Sequence, residues 1–246
     1  MKTYKNIEFE INEGVAIITL NRTDVLNSFN FEMADDTIDA LKYSRDEKII
    51  RAIVLTANGK GFCAGQDLEE ATGENGPNIE EIVEHTYNPI IGLIRSIEKP
   101  VVCAVNGVAA GAGANIAIAC DITFAAESAN FIQSFSNIGL VPDSGGTFFL
   151  PRLIGLQRAT AMMFSGSKTS AIEAKEIGMI YETVADEQLM QVVLDFAKKL
   201  SKRPTKGFGL TKKALNNSFT NSLQEQLGME KELQAIAAKT HDHKEG

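Results

Sequence analysis

Short apolar runs broken by polar turns mark the first half of the chain. Residues 7–9 and 15–20 (VAIITL) read as two strands, with Glu13-Gly14 in the turn between them. Apolar positions then recur about one helical turn apart, at Met33, Ile38 and Leu41, which predicts an amphipathic helix over residues 31–45. Residues 49–56, apolar except for Arg51 and Thr56, and the apolar run 101–105 read as buried strands. Between them, residues 79–97 predict helix, with a kink expected at Asn88-Pro89 because proline brings no N–H. Short strands are expected at 122–125 and 130–132. From Ser144 onward the pattern predicts helices at 144–153, 156–165, 171–177, 187–201, 204–216 and 222–240. Strand–helix alternation implies mostly parallel strands with right-handed crossovers, followed by an all-helical second half. A division into a core over 1–199 and a helical region over 200–246 follows.

Two of the apolar runs lead into a Gly/Ala turn and a possible helix start: GKGFCAGQDL at 59–68 and AVNGVAAGAGANIA at 104–117. Main-chain N–H groups at such a turn are unpaired, and a helix start favours negative charge. For one turn, close helix–strand packing is the simpler account. Two in one chain point to a pair of amides that stabilises a carbonyl oxygen as it gains charge. Asp67 is placed to cap the helix that follows the first turn. Residues 69–78 hold two glycines and a proline and are expected to be mobile, with Asn75 and Gly76 in a lid.

Composition narrows the partners. Of 246 residues, 44% are hydrophobic and 23% charged, ordinary for a globular protein. A formal net charge of -8 argues against a general nucleic-acid binder. No stretch reads as a signal peptide or reaches the length of a membrane span, so neither export nor a membrane is expected. Three cysteines, Cys63, Cys103 and Cys120, without disulfide-like spacing suggest a reducing cytoplasm. His85, His241 and His243 are scattered without spaced carboxylates, so no metal site is expected. Cys63 lies in the first turn with no His or Asn partner nearby in sequence and reads as packing rather than a nucleophile.

Several ordered motifs carry a resemblance. LNRTDVLNSFN (20–30), GFCAGQDL (61–68), KPVVCAVNGVAAGAG (99–113), CDITFAAESANF (120–131), IGLVPDSGGTFFLPRLIG (138–155) and SAIEAKEIGMI (170–180) together resemble the crotonase, or enoyl-CoA hydratase/isomerase, superfamily. The resemblance implies an α/β fold, a β-β-α spiral core with a C-terminal helical trimerisation region, assembled as a homotrimer or a dimer of trimers. It implies an acyl-CoA thioester as substrate, coenzyme A being part of that substrate and no other cofactor being needed. It places the two oxyanion-hole amides at Gln66 and Ala112. Val25, Ala64, Gln66, Asp67, Leu68, Ala112 and Phe135 are the implied contacts to CoA and substrate. Arg22, Lys60, Lys212 and Lys213 are candidates for the phosphates, and Tyr87, Phe131 and Phe135 for the acyl pocket. Relatives commonly continue with another short helix beyond the point where HDHKEG stands.

The resemblance also separates chemistries. Hydratases of this superfamily use two glutamates, and those positions here are Asn115 and Phe135, neither of which can take a proton from water. Asp143, in VPDSGG, remains. Isomerases of the superfamily with an aspartate there use it as a base beside the thioester. Flanking Leu140, Val141, Phe148 and Phe149 are expected to desolvate its carboxyl and raise its pKa. The local alternative is that Asp143 caps a helix starting at Ser144. An isomerase is expected, acting on a ring-epoxide acyl-CoA or, second, on a 3-enoyl-CoA. A non-catalytic or RNA-binding member of the fold is the alternative from a different class. A hydrolase or dehalogenase would need Asp143 as nucleophile with a histidine that is not evident.

Overall fold

The computed structural model describes residues 2–72 and 76–245. Ten strands form two sheets. The larger holds β1 (Ile7–Asn12), β2 (Val15–Leu20), β3 (Ala52–Ala57), β5 (Val101–Val105), β7 (Ile122–Ala126) and β10 (Glu182–Val184), in the spatial order β1-β2-β3-β5-β7-β10. The smaller holds β4 (Gly61–Cys63), β6 (Val108–Ala110), β8 (Asn130–Ile132) and β9 (Lys168–Ser170), in the order β4-β6-β8-β9. Only the edge pairs β1/β2 and β8/β9 run antiparallel. Strands β3/β4, β5/β6 and β7/β8 follow one another along the chain, and each couple places one strand in each sheet. The chain therefore advances as a spiral. Central strands β3 and β5 are buried at every position, which accounts for their unbroken apolar runs.

Helices fill the gaps. They are α1 (Phe31–Asp46), α2 (Leu68–Thr72), α3 (Ile79–Ile82), α4 (Asn88–Ser96), α5 (Ala112–Ala119), α6 (Gly146–Ile154), α7 (Leu156–Ser165), α8 (Ala171–Glu176), α9 (Leu189–Ser201), α10 (Thr205–Ser218), α11 (Leu223–Ala237) and α12 (His241–Glu245). Asn30 starts α1 by accepting the Met33 N–H. Helix α9 packs on β2, β3, β5 and β7. Thus α9 belongs to the same core as the large sheet.

Three expectations need correction. The second half is not all helix, because β9 and β10 add a strand to each sheet. Both are three residues long with polar positions (KTS and ETV), too short to show a period. The segment before Pro89 does not break. It passes through one π-helical stretch, Val83–Tyr87, which joins α3 to α4 and admits the proline at the second position of α4. Asp121, which by residue type reads as a cap or an exposed charge, is neither. It is a half-buried hub that accepts the Val101 N–H and pairs with Arg95 and Lys212. Asn75 of the expected lid lies outside the described residues.

Candidate active site

Strands β4 and β6 pair in parallel, Gly61 opposite Val108 and Cys63 opposite Ala109. Their C-terminal ends therefore emerge side by side, and so do the two Gly/Ala turns. A Cβ built on Gly65 would lie 3.2 Å from the Ala110 carbonyl oxygen and 3.8 Å from the Ala112 nitrogen. The Gly65 carbonyl accepts from Phe29 N–H at 2.7 Å, and the Asp67 N–H donates to the Phe29 carbonyl at 2.8 Å. In extended backbone, successive N–H groups point to opposite sides, so the Gln66 N–H is directed away from Phe29. Ala112 is the first residue of α5, where no preceding turn can accept its N–H. Among the described residues, neither amide has an acceptor within the protein.

Both turns open on a cavity of about 490 Å³. All eight site residues expected from sequence line it: Val25, Ala64, Gln66, Asp67, Leu68, Ala112, Phe135 and Asp143. Val25, Leu68, Ile138 and Leu140 add exposed apolar surface at the same cavity, while Ile82, Tyr87 and Phe135 are buried. An apolar cavity with a few convergent polar groups is the usual form of a small-molecule site.

Asp143 is the carboxyl in this cavity whose burial matters most. Desolvation raises its pKa above the ordinary aspartate value, against a Ser144 Oγ hydrogen bond at 2.8 Å that favours the ionised form. The apolar company differs from the flanking sequence. Val141 is 77% exposed, and Phe148 turns toward Arg152 and Phe219. Tyr87, Phe135 and Leu140 share the cavity with the carboxyl instead. The capping alternative is not realised. Helix α6 starts at Gly146 with no side-chain cap, and it is the main-chain carbonyl of Asp143 that accepts the Gly146 N–H at 2.8 Å. Ser144 holds a left-handed φ of +52°, strained for a residue with a side chain, in the turn that presents the carboxyl.

Other expected residues are placed elsewhere. Phe131 is fully buried on β8 and does not line the cavity. Lys212 is buried against Asp121 at 2.7 Å, so it is not available to a phosphate. Lys60 and Lys213 are exposed. Arg22 lies beside the cavity but is bound to Asp67 at 2.8 Å and to the Ser28 carbonyl at 2.6 Å. Asp67 also accepts the Glu69 N–H, as a helix cap should. Burial pushes the Cys63 thiol up to about 12, far from a thiolate. The phenol of Tyr87 donates to Gln66 Oε1 at 2.7 Å, a partnership 21 positions apart that no local pattern announces. Burial, ahead of the neighbouring Asp143 charge, keeps that phenol protonated.

The "Enoyl-CoA hydratase/isomerase" family model matches residues 10–246. The chain belongs to that family. It is 45% identical over 240 residues to the 1,2-epoxyphenylacetyl-CoA isomerase of Escherichia coli K12, covering 96% of this chain and 91% of that protein. It is 43% identical to a protein of Rhodobacter capsulatus named "Probable enoyl-CoA hydratase", covering 99% and 94% of the two chains. The crystal structure of enoyl-CoA hydratase from Bacillus anthracis superposes with a TM-score of 0.90 at 32% identity, covering 97% and 93%. The two-sheet spiral is thus the crotonase fold expected from the motifs.

Proposed function

We infer that this member of the enoyl-CoA hydratase/isomerase family is an acyl-CoA isomerase with Asp143 as its base. The observation that carries this is a partly desolvated carboxyl sharing one cavity with two unengaged main-chain amides. The thioester oxygen sits between the Gln66 and Ala112 N–H groups. Asp143 takes a proton from C2, and the electron pair moves onto the thioester oxygen, where the two amides stabilise it. An amide donor of this kind is worth roughly 3–4 kcal/mol of barrier. With a ring epoxide beside C2, the rearranging electrons expand the ring to an oxepin, and the proton returns to carbon so that the formula is unchanged. Likeness to the Escherichia coli isomerase supports 2-(1,2-epoxy-1,2-dihydrophenyl)acetyl-CoA as the substrate, which would place the enzyme in phenylacetate breakdown in the cytoplasm.

Hydration lacks its groups. Asn115 and Phe135 stand at the two glutamate positions, and Asn115 is wholly buried. A second reading, 3-enoyl-CoA to 2-enoyl-CoA isomerisation, uses the same base and amides, and the apolar wall of Ile79, Ile82, Phe135 and Leu140 suits a hydrocarbon chain. Coenzyme A enters as part of the substrate along the Val25 and Ala64–Leu68 rim, and no metal or redox group takes part. A homotrimer or a dimer of trimers is the proposed assembly.

Product analysis decides between the readings. The enzyme is incubated with epoxy-, 3-enoyl- and 2-enoyl-CoA esters, beside Asp143→Asn. The expected result is oxepin product from the epoxide, no hydration of the 2-enoyl ester, and no isomerisation by Asp143→Asn although CoA esters still bind. Normal turnover by that variant would reject the assignment.

A further inference from the structure

Asn115 lies on α5, three residues after Ala112, and is fully buried. Its Nδ2 donates to the Asp143 main-chain carbonyl at 2.9 Å, and its Oδ1 accepts from Gln133 Nε2 at 2.8 Å. The direction of this chain is not arbitrary. A main-chain carbonyl only accepts, so the edge of Asn115 facing Asp143 must be the NH₂ group. Its oxygen then faces Gln133, which must present its own NH₂ group, and Gln133 Oε1 is left buried without a donor among the described residues. The Asp143 carbonyl accepts a second bond from Gly146 N–H at 2.8 Å, which occupies both its lone pairs.

The backbone of the Asp143 turn is shaped to admit this amide. A Cβ on Gly146 would fall 2.6 Å from Asn115 Cγ and 2.7 Å from its Oδ1, so only glycine lets α6 approach. Ser144 and Gly145 both hold left-handed φ angles, +52° and +73°, between the base and that contact. One eight-residue helix therefore carries the second oxyanion amide at its first position and, one turn later, the side chain that anchors the turn bearing the base.

We propose that Asn115, held by Gln133, is a positioning residue that fixes the Asp143 carboxyl relative to the Ala112 amide. The inference rests on Asp143 being the base. It gives the position that holds a glutamate in the hydratases a different task here: not to meet water, but to set the distance between proton acceptor and oxyanion amide. Misplacement of a reacting group by about 1 Å can cost about a hundredfold in rate.

The test uses the full-length enzyme with Asn115→Leu, Asn115→Asp and Asp143→Asn, read by kcat, KM, CoA-ester binding and thermal melting. Asn115→Leu removes the donor at similar volume. Its kcat should fall about a hundredfold. Its KM should stay within about threefold. Asn115→Asp keeps the shape. Its buried carboxyl, when protonated, can donate to the Asp143 carbonyl and accept from Gln133, which restores the chain. Burial raises a carboxyl's pKa, and ionisation removes the donor, so relative to wild type this variant should lose activity as pH rises through that pKa. Wild type should keep its activity there. Asp143, whose own carboxyl titrates above the ordinary aspartate value, sets the acid limb of both enzymes, so the loss is read as a ratio to wild type at each pH. Of the elements packed on α5, α4 brings Arg95, α6 brings Arg152 and β4 brings Cys63, whose thiol is pushed up to about 12, while β6 and β7 bring none. A merely structural role would lower melting temperature without producing that pH-dependent loss. A wild-type kcat in Asn115→Leu, or a wild-type pH profile in Asn115→Asp, overturns the proposal. If Asn115→Leu does not fold, the Asn115→Asp profile decides alone. Normal turnover by Asp143→Asn sinks the base assignment and this inference with it. An inert Asp143→Asn beside a fully active Asn115→Leu sinks the inference alone.

Discussion

Asp143 is pulled two ways: burial favours its neutral form and the Ser144 hydroxyl its ionised form, and burial prevails. As the proposed base, Asp143 must be ionised to work, so kcat/KM should fall on the acid side through a pKa above the ordinary aspartate value, about 3.9. The same shift bears on stability. The folded state holds the Asp143 proton more tightly than the unfolded chain, so ionisation opposes folding at neutral pH. Asp143→Asn should therefore melt higher than wild type at pH 7, and the difference should vanish below about pH 4, where both states of the wild-type carboxyl are protonated. A variant that melts lower at pH 7 would show the carboxylate to be stabilising. The residue scale also shows how far local reading reaches. Asp143, Gln66 and Ala112 were placed by the family resemblance that the compact PDSGG, CAGQ and AGAG motifs help to carry. Asn115 and Gln133 carry no such mark, because their meaning lies in partners 28 and 18 positions away.

Among elements, the meeting of β4 with α5 sets the spacing of the two turns that carry the Gln66 and Ala112 amides. A Cβ on Gly113 would overlap the carbonyl, Cβ and Sγ of Cys63, so helix and strand touch at a glycine. Gly113→Ala should force them apart and cost about 2 kcal/mol of stability. Urea titration measures that loss, and activity should fall further than stability explains, because Ala112 moves with the helix. A stable, fully active Gly113→Ala would show that the turns tolerate separation. Long apolar strands and amphipathic helices were legible in the chain because burial imposes a period on them. Strands β4, β6, β9 and β10 were not: each spans three residues and exists through pairing with a distant neighbour, although β8, equally short, was expected.

For the whole molecule, one carboxylate shared by two cations helps tie α10 to the core, beside the bonds of Asn216 to Arg95 and Lys206 to Glu98. Asp121 lies 3.2 Å from Arg95 and 2.7 Å from Lys212, and burial lowers the Lys212 pKa despite that partner. Removing the shared partner leaves two poorly solvated positive charges. Asp121→Asn should cost about 3 kcal/mol, measured by denaturant unfolding. The loss should begin with the C-terminal helices, which hydrogen exchange would locate. An unchanged midpoint would mean that packing alone holds α10.

Local chemistry along the chain determined which residues could act: two turns with spare amides, one carboxyl after a proline, and apolar runs long enough to become buried strands. Those properties follow from neighbours a few positions away. Pairing of β4 with β6 brought the two turns into contact, and the Asn115 bond tied the Asp143 turn to the same helix. These depend on contacts between distant segments, which burial and hydrogen bonding select only once the chain has closed on itself.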